Sequence, residues 1–64
     1  MSSDRKEEII EAALGLASER GLGNVSMAMI AERVGIRKPS LYNHFSSKDE
    51  LVDEMYRFLR ERAR

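Results

Sequence analysis

A chain of 64 residues holds one domain with one small core, near the lower limit for independent folding. Its 11 lysines and arginines equal its 11 aspartates and glutamates, so net charge implies no attraction to nucleic acid, and any such function must rest on local segregation of charge. The lack of cysteine excludes a disulfide framework and a thiolate metal site. No apolar run is long enough for a membrane span, and no signal-peptide segment opens the chain, which leaves the cytoplasm as the expected location.

Met1 to Ser3 reads as a frayed tail. Asp4, with Glu7 three residues on, forms a capping box that opens a first helix over about 4–20. Ile9, Ala13 and Leu16 make its apolar stripe, widened by Ile10, Ala12, Leu14 and Ala17, while Glu7, Glu8, Glu11 and Glu19 stay outside. Gly21 ends this helix just after Arg20, whose charge suits the C-terminal dipole. Leu22 to Val25 form a short turn around Gly23 and Asn24. Ser26 caps a second helix over about 27–34, with Ile30, Ala31 and Val34 on one face. Gly35 supplies a left-handed stop, Ala31 is small enough for a close helix crossing, and Ile36 is an apolar plug.

Pro39 restarts the chain near a first helical position, where its missing N–H does no harm, giving a third helix over about 38–44. Leu41 and Phe45 share its inner face. Pro39, Ser40, Tyr42 and Asn43 fall on the opposite arc, with His44 at its edge. Ser47 caps a fourth helix over about 48–63, and Glu50 completes a second capping box. Leu51, Met55, Phe58 and Leu59, with Val52 beside them, are its expected buried stripe. The helical pattern continues through Arg60 to Arg64 without a stop signal. No alternation suggests a strand, so the expected fold is all-α: a three-helix head followed by the start of a fourth helix.

Between Glu32 and Asp49 the chain carries no acid, yet it holds Arg33, Arg37, Lys38, His44 and Lys48. A run of this kind is ordinarily a solvated surface. Here it coincides with a helix, a glycine turn and a second short helix whose outer arc is small, polar and aromatic. The pattern is a helix-turn-helix with its second helix exposed.

The run IAERVGIRKPSLYNHFSSKDEL resembles the DNA-binding signature of the tetracycline-repressor (TetR) family of transcriptional regulators. The matching residues are Ile30 and Ala31, Gly35, Leu41 with Tyr42, His44 with Phe45, Lys48, and Glu50 with Leu51. Upstream, Ile9, Ala12, Ala13, Leu16 and Gly21 meet the pattern I-x-x-A-A-x-x-L-x-x-x-x-G. The resemblance covers nearly the whole chain. It implies sequence-specific binding of double-stranded DNA, with helix 38–44 in the major groove of a palindromic operator. It also implies a C-terminal domain, absent from this chain, that makes the homodimer and binds a small-molecule effector. No cofactor, metal or membrane is implied.

The candidate DNA contacts are Ser26, Arg37, Lys38, Pro39, Ser40, Tyr42, Asn43, His44 and Lys48. Phosphate contacts are expected for Tyr42, chiefly on the resemblance, and for His44 and Lys48. The alternatives are an exposed tyrosine, an idle surface histidine and a solvated lysine. Lys48 opposes the dipole at the start of its helix, and a phosphate there would resolve the misfit. Base reading falls to Lys38, Ser40 and Asn43, with Pro39 against a thymine methyl. Arg37 stands where relatives often carry a small capping residue, leaving water or Ser40 to satisfy the turn or Arg37 to reach a phosphate or base. Ala28 and Met29 also depart from the family pattern, Ala28 replacing a longer polar residue and Met29 a frequent acid.

A second functional class is a helical protein-interaction module using the Tyr42, Asn43 and His44 face, for which binding would depend little on salt. An enzyme is the third. Glu7, Glu8 and Glu11 cluster on one helix, but a single histidine and no cysteine or phosphate loop leave nothing for catalysis to use.

Overall fold

The computed structural model describes residues 5–63; the tail Met1 to Ser3, the expected cap Asp4 and Arg64 lie outside them. The described chain forms four α-helices: α1 (Arg5–Arg20), α2 (Met27–Val34), α3 (Lys38–His44) and α4 (Lys48–Arg62). A 3₁₀ turn, Leu22–Asn24, joins α1 to α2, and there is no strand among the described residues. Helix α1 packs against both α2 and α4, and α3 packs on α2.

The helix ends follow from local chemistry. The Ser26 hydroxyl accepts from the Met29 amide at 3.2 Å, and the Ser47 hydroxyl accepts from the Glu50 amide at 3.2 Å. Gly35 adopts φ 89°, ψ 29°, and the Ala31 carbonyl accepts from Gly35 N–H at 2.9 Å and Ile36 N–H at 3.0 Å. A side chain at position 35 would meet no neighbouring atom, so glycine is needed there for its backbone conformation and not for space. The Asn24 side chain donates to the Arg20 carbonyl at 2.8 Å, satisfying an orphan carbonyl at the end of α1 that the sequence pattern left open.

One capping detail differs from expectation. The Glu50 carboxylate does not return to the amide of the cap residue Ser47. It accepts from the backbone N–H of Ser46 at 2.8 Å and from the Ser46 hydroxyl. A second donor on Ser46 makes this the better-satisfied arrangement for a carboxylate.

The core gathers Ile9, Ile10, Ala13 and Leu16 from α1, Val25, Met27, Ile30 and Ala31 around α2, Leu41 and Phe45 from α3, and Leu51 and Met55 from α4. Val25 and Met27, which the sequence pattern marks only as turn and helix start, are both buried. Leu59 was expected in the α4 stripe but is 47% exposed, while Phe58 is half-buried against the core. Phe58 shares a groove with Lys6 and Ile10 in the first turns of α1. Leu59, one residue or about 100° further round, turns away from it.

Arg33 lies across α1, its guanidinium donating to the Glu19 carboxylate at 2.9 and 3.3 Å. A Cβ added to Gly15 would sit 3.6 Å from the Arg33 guanidinium, an ordinary contact. Gly15→Ala should therefore add helix propensity without a clash, raising stability by about 0.5–1 kcal/mol. A melt should show a midpoint several degrees higher, and a lower midpoint would mean that Arg33 cannot yield.

Leu41 has 0% exposure at the junction of α3 with the rest of the core. Its truncation in Leu41→Ala should cost ~2–5 kcal/mol, enough to unfold so small a domain at ambient temperature. Circular dichroism against temperature or urea measures the loss, and an unchanged midpoint would contradict the anchoring role.

Candidate nucleic-acid interface

The seven-residue helix α3 owes its rotation to Leu41 and Phe45, both 0% exposed and four apart along the chain. With that face fixed inward, Lys38, Pro39, Ser40, Tyr42 and Asn43 are all exposed, and His44 is half-buried at the edge. Tyr42 is 43% exposed, which sets its phenol outside the core. Arg37 occupies the N-cap position with extended backbone (φ −84°, ψ 153°), and its side chain makes no capping bond. A guanidinium has no acceptor and cannot cap, and the Arg37 side chain is exposed.

Two other expected contact residues sit at the starts of the flanking helices. Ser26 is exposed, and because its hydroxyl oxygen takes the Met29 amide, its proton remains available to donate. Lys48 is half-buried, and its ammonium donates to the Leu22 carbonyl at 3.1 Å. That bond supplies an internal partner for a cation placed against the helix dipole, and leaves two ammonium protons for other acceptors. It also brings Lys48 beside the turn that leads into Ser26. At the other end of α3, the Lys6 ammonium lies 5.4 Å from the centre of the Phe45 ring.

Charge on this face is narrower than the sequence run suggests. Arg33 belongs to the acid-free run but is paired with Glu19, so Arg37, Lys38, His44 and Lys48 remain. The Arg33 guanidinium, by hydrogen bond first and by charge second, holds the Glu19 carboxyl below the usual carboxylate range. Glu50 is likewise held low, chiefly by the Ser46 hydroxyl and amide, with a smaller contribution from the Lys6 charge. The Lys48 bond and the Arg33 pair join residues distant in sequence, and no local pattern could have signalled them. Met29, unexplained by the sequence, is half-buried, and its apolar side chain packs against the core.

No cluster of three or more His, Cys, Asp or Glu suited to a metal forms among the described residues, and no described helix is long and apolar enough to cross a membrane. A support helix packed into the core on one face, a glycine turn in the left-handed region and an exposed, cation-flanked second helix define a helix-turn-helix domain. The chain belongs to the tetR family of bacterial regulatory proteins, whose family model matches residues 9–55.

Among curated relatives, the chain is 44% identical over 55 residues to the HTH-type transcriptional repressor KstR2 of Mycobacterium tuberculosis, covering 86% of this chain and 28% of that protein. It is 37% identical over 60 residues to the nucleoid occlusion factor SlmA of Vibrio vulnificus, covering 92% and 31%. It is 34% identical over 55 residues to the tetracycline repressor protein class C of Escherichia coli, covering 86% and 25%. The chain thus spans roughly a quarter to a third of the length of these relatives. No solved structure gives a significant match. Two of these three relatives carry repressor in their names.

The two depressed carboxylates make a pH prediction. A group whose pKa is lowered by folding stabilises the fold above its unfolded value, about 4.3 for Glu, and loses that contribution as pH falls through its folded value. Stability should therefore fall on acidification below about pH 4.5. The Glu19→Gln, Glu50→Gln double variant should show a shallower acid limb in melts taken from pH 6 to pH 3. An unchanged limb would place the acid sensitivity elsewhere.

Proposed function

We propose that this chain is the DNA-binding head of a transcriptional repressor, which sets α3 into the major groove of a double-stranded, palindromic operator. The observation that carries the reading is the outward arc of α3: five exposed residues, Lys38, Pro39, Ser40, Tyr42 and Asn43, held over two fully buried anchors and flanked by Arg37 and Lys48. A helix with its side chains is about 10–12 Å across and the B-DNA major groove about 12 Å wide, so an α-helix fits the groove, and α3 is the one whose outward arc is polar and free of acids. Family membership supports the same assignment.

In this reading Tyr42, His44 and Lys48 meet phosphates, and the Ser26 hydroxyl donates to a phosphate at the start of α2. Lys38, Ser40 and Asn43 face base edges, with Pro39 against a thymine methyl. Arg37 reaches a phosphate or a base from the turn. A C-terminal domain beyond this chain supplies the homodimer contact and binds a small-molecule effector, and two heads then read half-sites in successive major grooves. The protein works in the cytoplasm as a regulator, with no catalytic step.

The test begins with selection of bound duplexes from a random pool, followed by affinity measurements across a salt series. Phosphate neutralisation predicts a steep fall in affinity with salt. Tyr42→Phe should weaken binding to matched and unrelated duplexes by the same factor. Asn43→Ala should relax preference at one base pair, with a loss of ~1–3 kcal/mol there. Salt-independent binding would remove the DNA reading, and a Tyr42→Phe variant with altered base preference would reverse the assigned roles.

A further inference from the structure

The hydrogen bond from the Lys48 ammonium to the Leu22 carbonyl spans 26 residues of sequence. The segment between its two ends contains both helices of the helix-turn-helix, α2 (Met27–Val34) and α3 (Lys38–His44). The bond therefore closes a frame around the DNA-binding unit. The Leu22 carbonyl also accepts from the Val25 N–H at 3.2 Å, so its two acceptor positions serve the turn and the frame together. Val25 is 3% exposed and immediately precedes Ser26, the cap of α2. On its other side the turn is tied to α1 through the Asn24 side chain and the Arg20 carbonyl at 2.8 Å. Lys48 is thus the residue that ties the same turn to the start of α4.

We infer that Lys48 is a positioning residue. Its ammonium, held on the Leu22 carbonyl, braces the start of α4 against the α1–α2 turn and fixes the pose of α2 relative to α3 before DNA arrives. The inference rests on the DNA-binding reading and deepens it, because the same ammonium keeps two protons for a phosphate. A phosphate contact alone would serve every duplex equally. A brace also favours the one docking pose in which α3 reads bases, so it contributes to discrimination.

The test compares the unaltered chain with Lys48→Met, which keeps the apolar stem, and Lys48→Arg, which keeps the charge and can reach the carbonyl. Without DNA, amide hydrogen exchange at Val25 should speed up about two- to tenfold in Lys48→Met relative to Leu16 in α1, the size expected for the net loss of one hydrogen bond at a half-exposed site. With DNA, the ratio of affinity for the selected duplex to that for a scrambled duplex should fall by a similar factor. Lys48→Arg should restore both. Exchange at Val25 that follows Leu16 unchanged overturns the brace. An unchanged affinity ratio, with both affinities lowered equally, reduces Lys48 to a phosphate contact. An arginine variant as impaired as the methionine one also overturns it. If the protein, dimerised through its C-terminal domain, binds neither duplex, the DNA reading itself fails, and the exchange measurement alone decides whether the brace exists.

Discussion

Burial of Leu41 and Phe45 is the constraint on which the rest of this structure depends. A seven-residue helix has no stability of its own in water, because nucleation costs more than so few backbone bonds return. Helix α3 exists only because its two apolar residues are taken into the core. One anchor would leave it free to roll; two anchors on the same face, four residues apart, fix its rotation. The outward arc follows with no further instruction. The direction of α3 is set at its start, where Gly35 in the left-handed region turns the chain and Pro39 commits it to helical geometry.

In a chain of zero net charge, the segment from Arg33 to Lys48 carries no acid, and several acids outside it are engaged with other groups. Glu19 holds Arg33 across α1 and α2, Glu8 pairs with Arg5, and Glu54 pairs with Arg57. Glu50, the acid nearest in sequence to Lys48 after Asp49, is turned back onto Ser46. These pairs are solvent-exposed and contribute little to stability individually. Within the run from Arg33 to Lys48, pairing of Arg33 leaves Arg37, Lys38 and Lys48 as the cations around α3. Local segregation, not overall charge, is what a short-range contact with a phosphate backbone responds to when salt screens beyond about 10 Å.

What was legible in the sequence was what local chemistry decides. Ser26, Gly35, Pro39 and Ser47 each act on backbone groups within a few residues, and the helix starts and stops follow from them. The apolar periodicity correctly placed Leu41 and Phe45 inside and Tyr42 outside. Contacts between distant segments were not legible. Arg33 looked like a free member of a basic run until α1 brought Glu19 to it, and Lys48 looked like a misplaced cation until the turn brought the Leu22 carbonyl. Leu59 continued a helical stripe on paper, yet whether a stripe residue is covered depends on what lies opposite. Met29 is the converse case: the tertiary packing that makes an apolar residue sensible there has no signature in its neighbours. The roles of individual residues on α3 were legible only as far as facing outward, since phosphate and base are distinguished by the docking angle and not by the helix.

Two departures from the family pattern bear on how this head would divide its contacts. Ala28 is exposed near the start of α2, where a longer polar side chain would reach outward, and its methyl offers no hydrogen bond. Arg37 adds an exposed guanidinium at the N-cap of α3. A guanidinium can engage two acceptors at once, on a phosphate or on guanine O6 and N7. Under the DNA-binding reading, polar contact is therefore lost from α2 and gained at the junction between the turn and α3. Reading is then concentrated on one helix whose pose hangs on two anchors and, if Lys48 braces the frame, on one hydrogen bond. A head built this way gains discrimination from rigidity, because with fewer contact points each must already be in place when the groove is met.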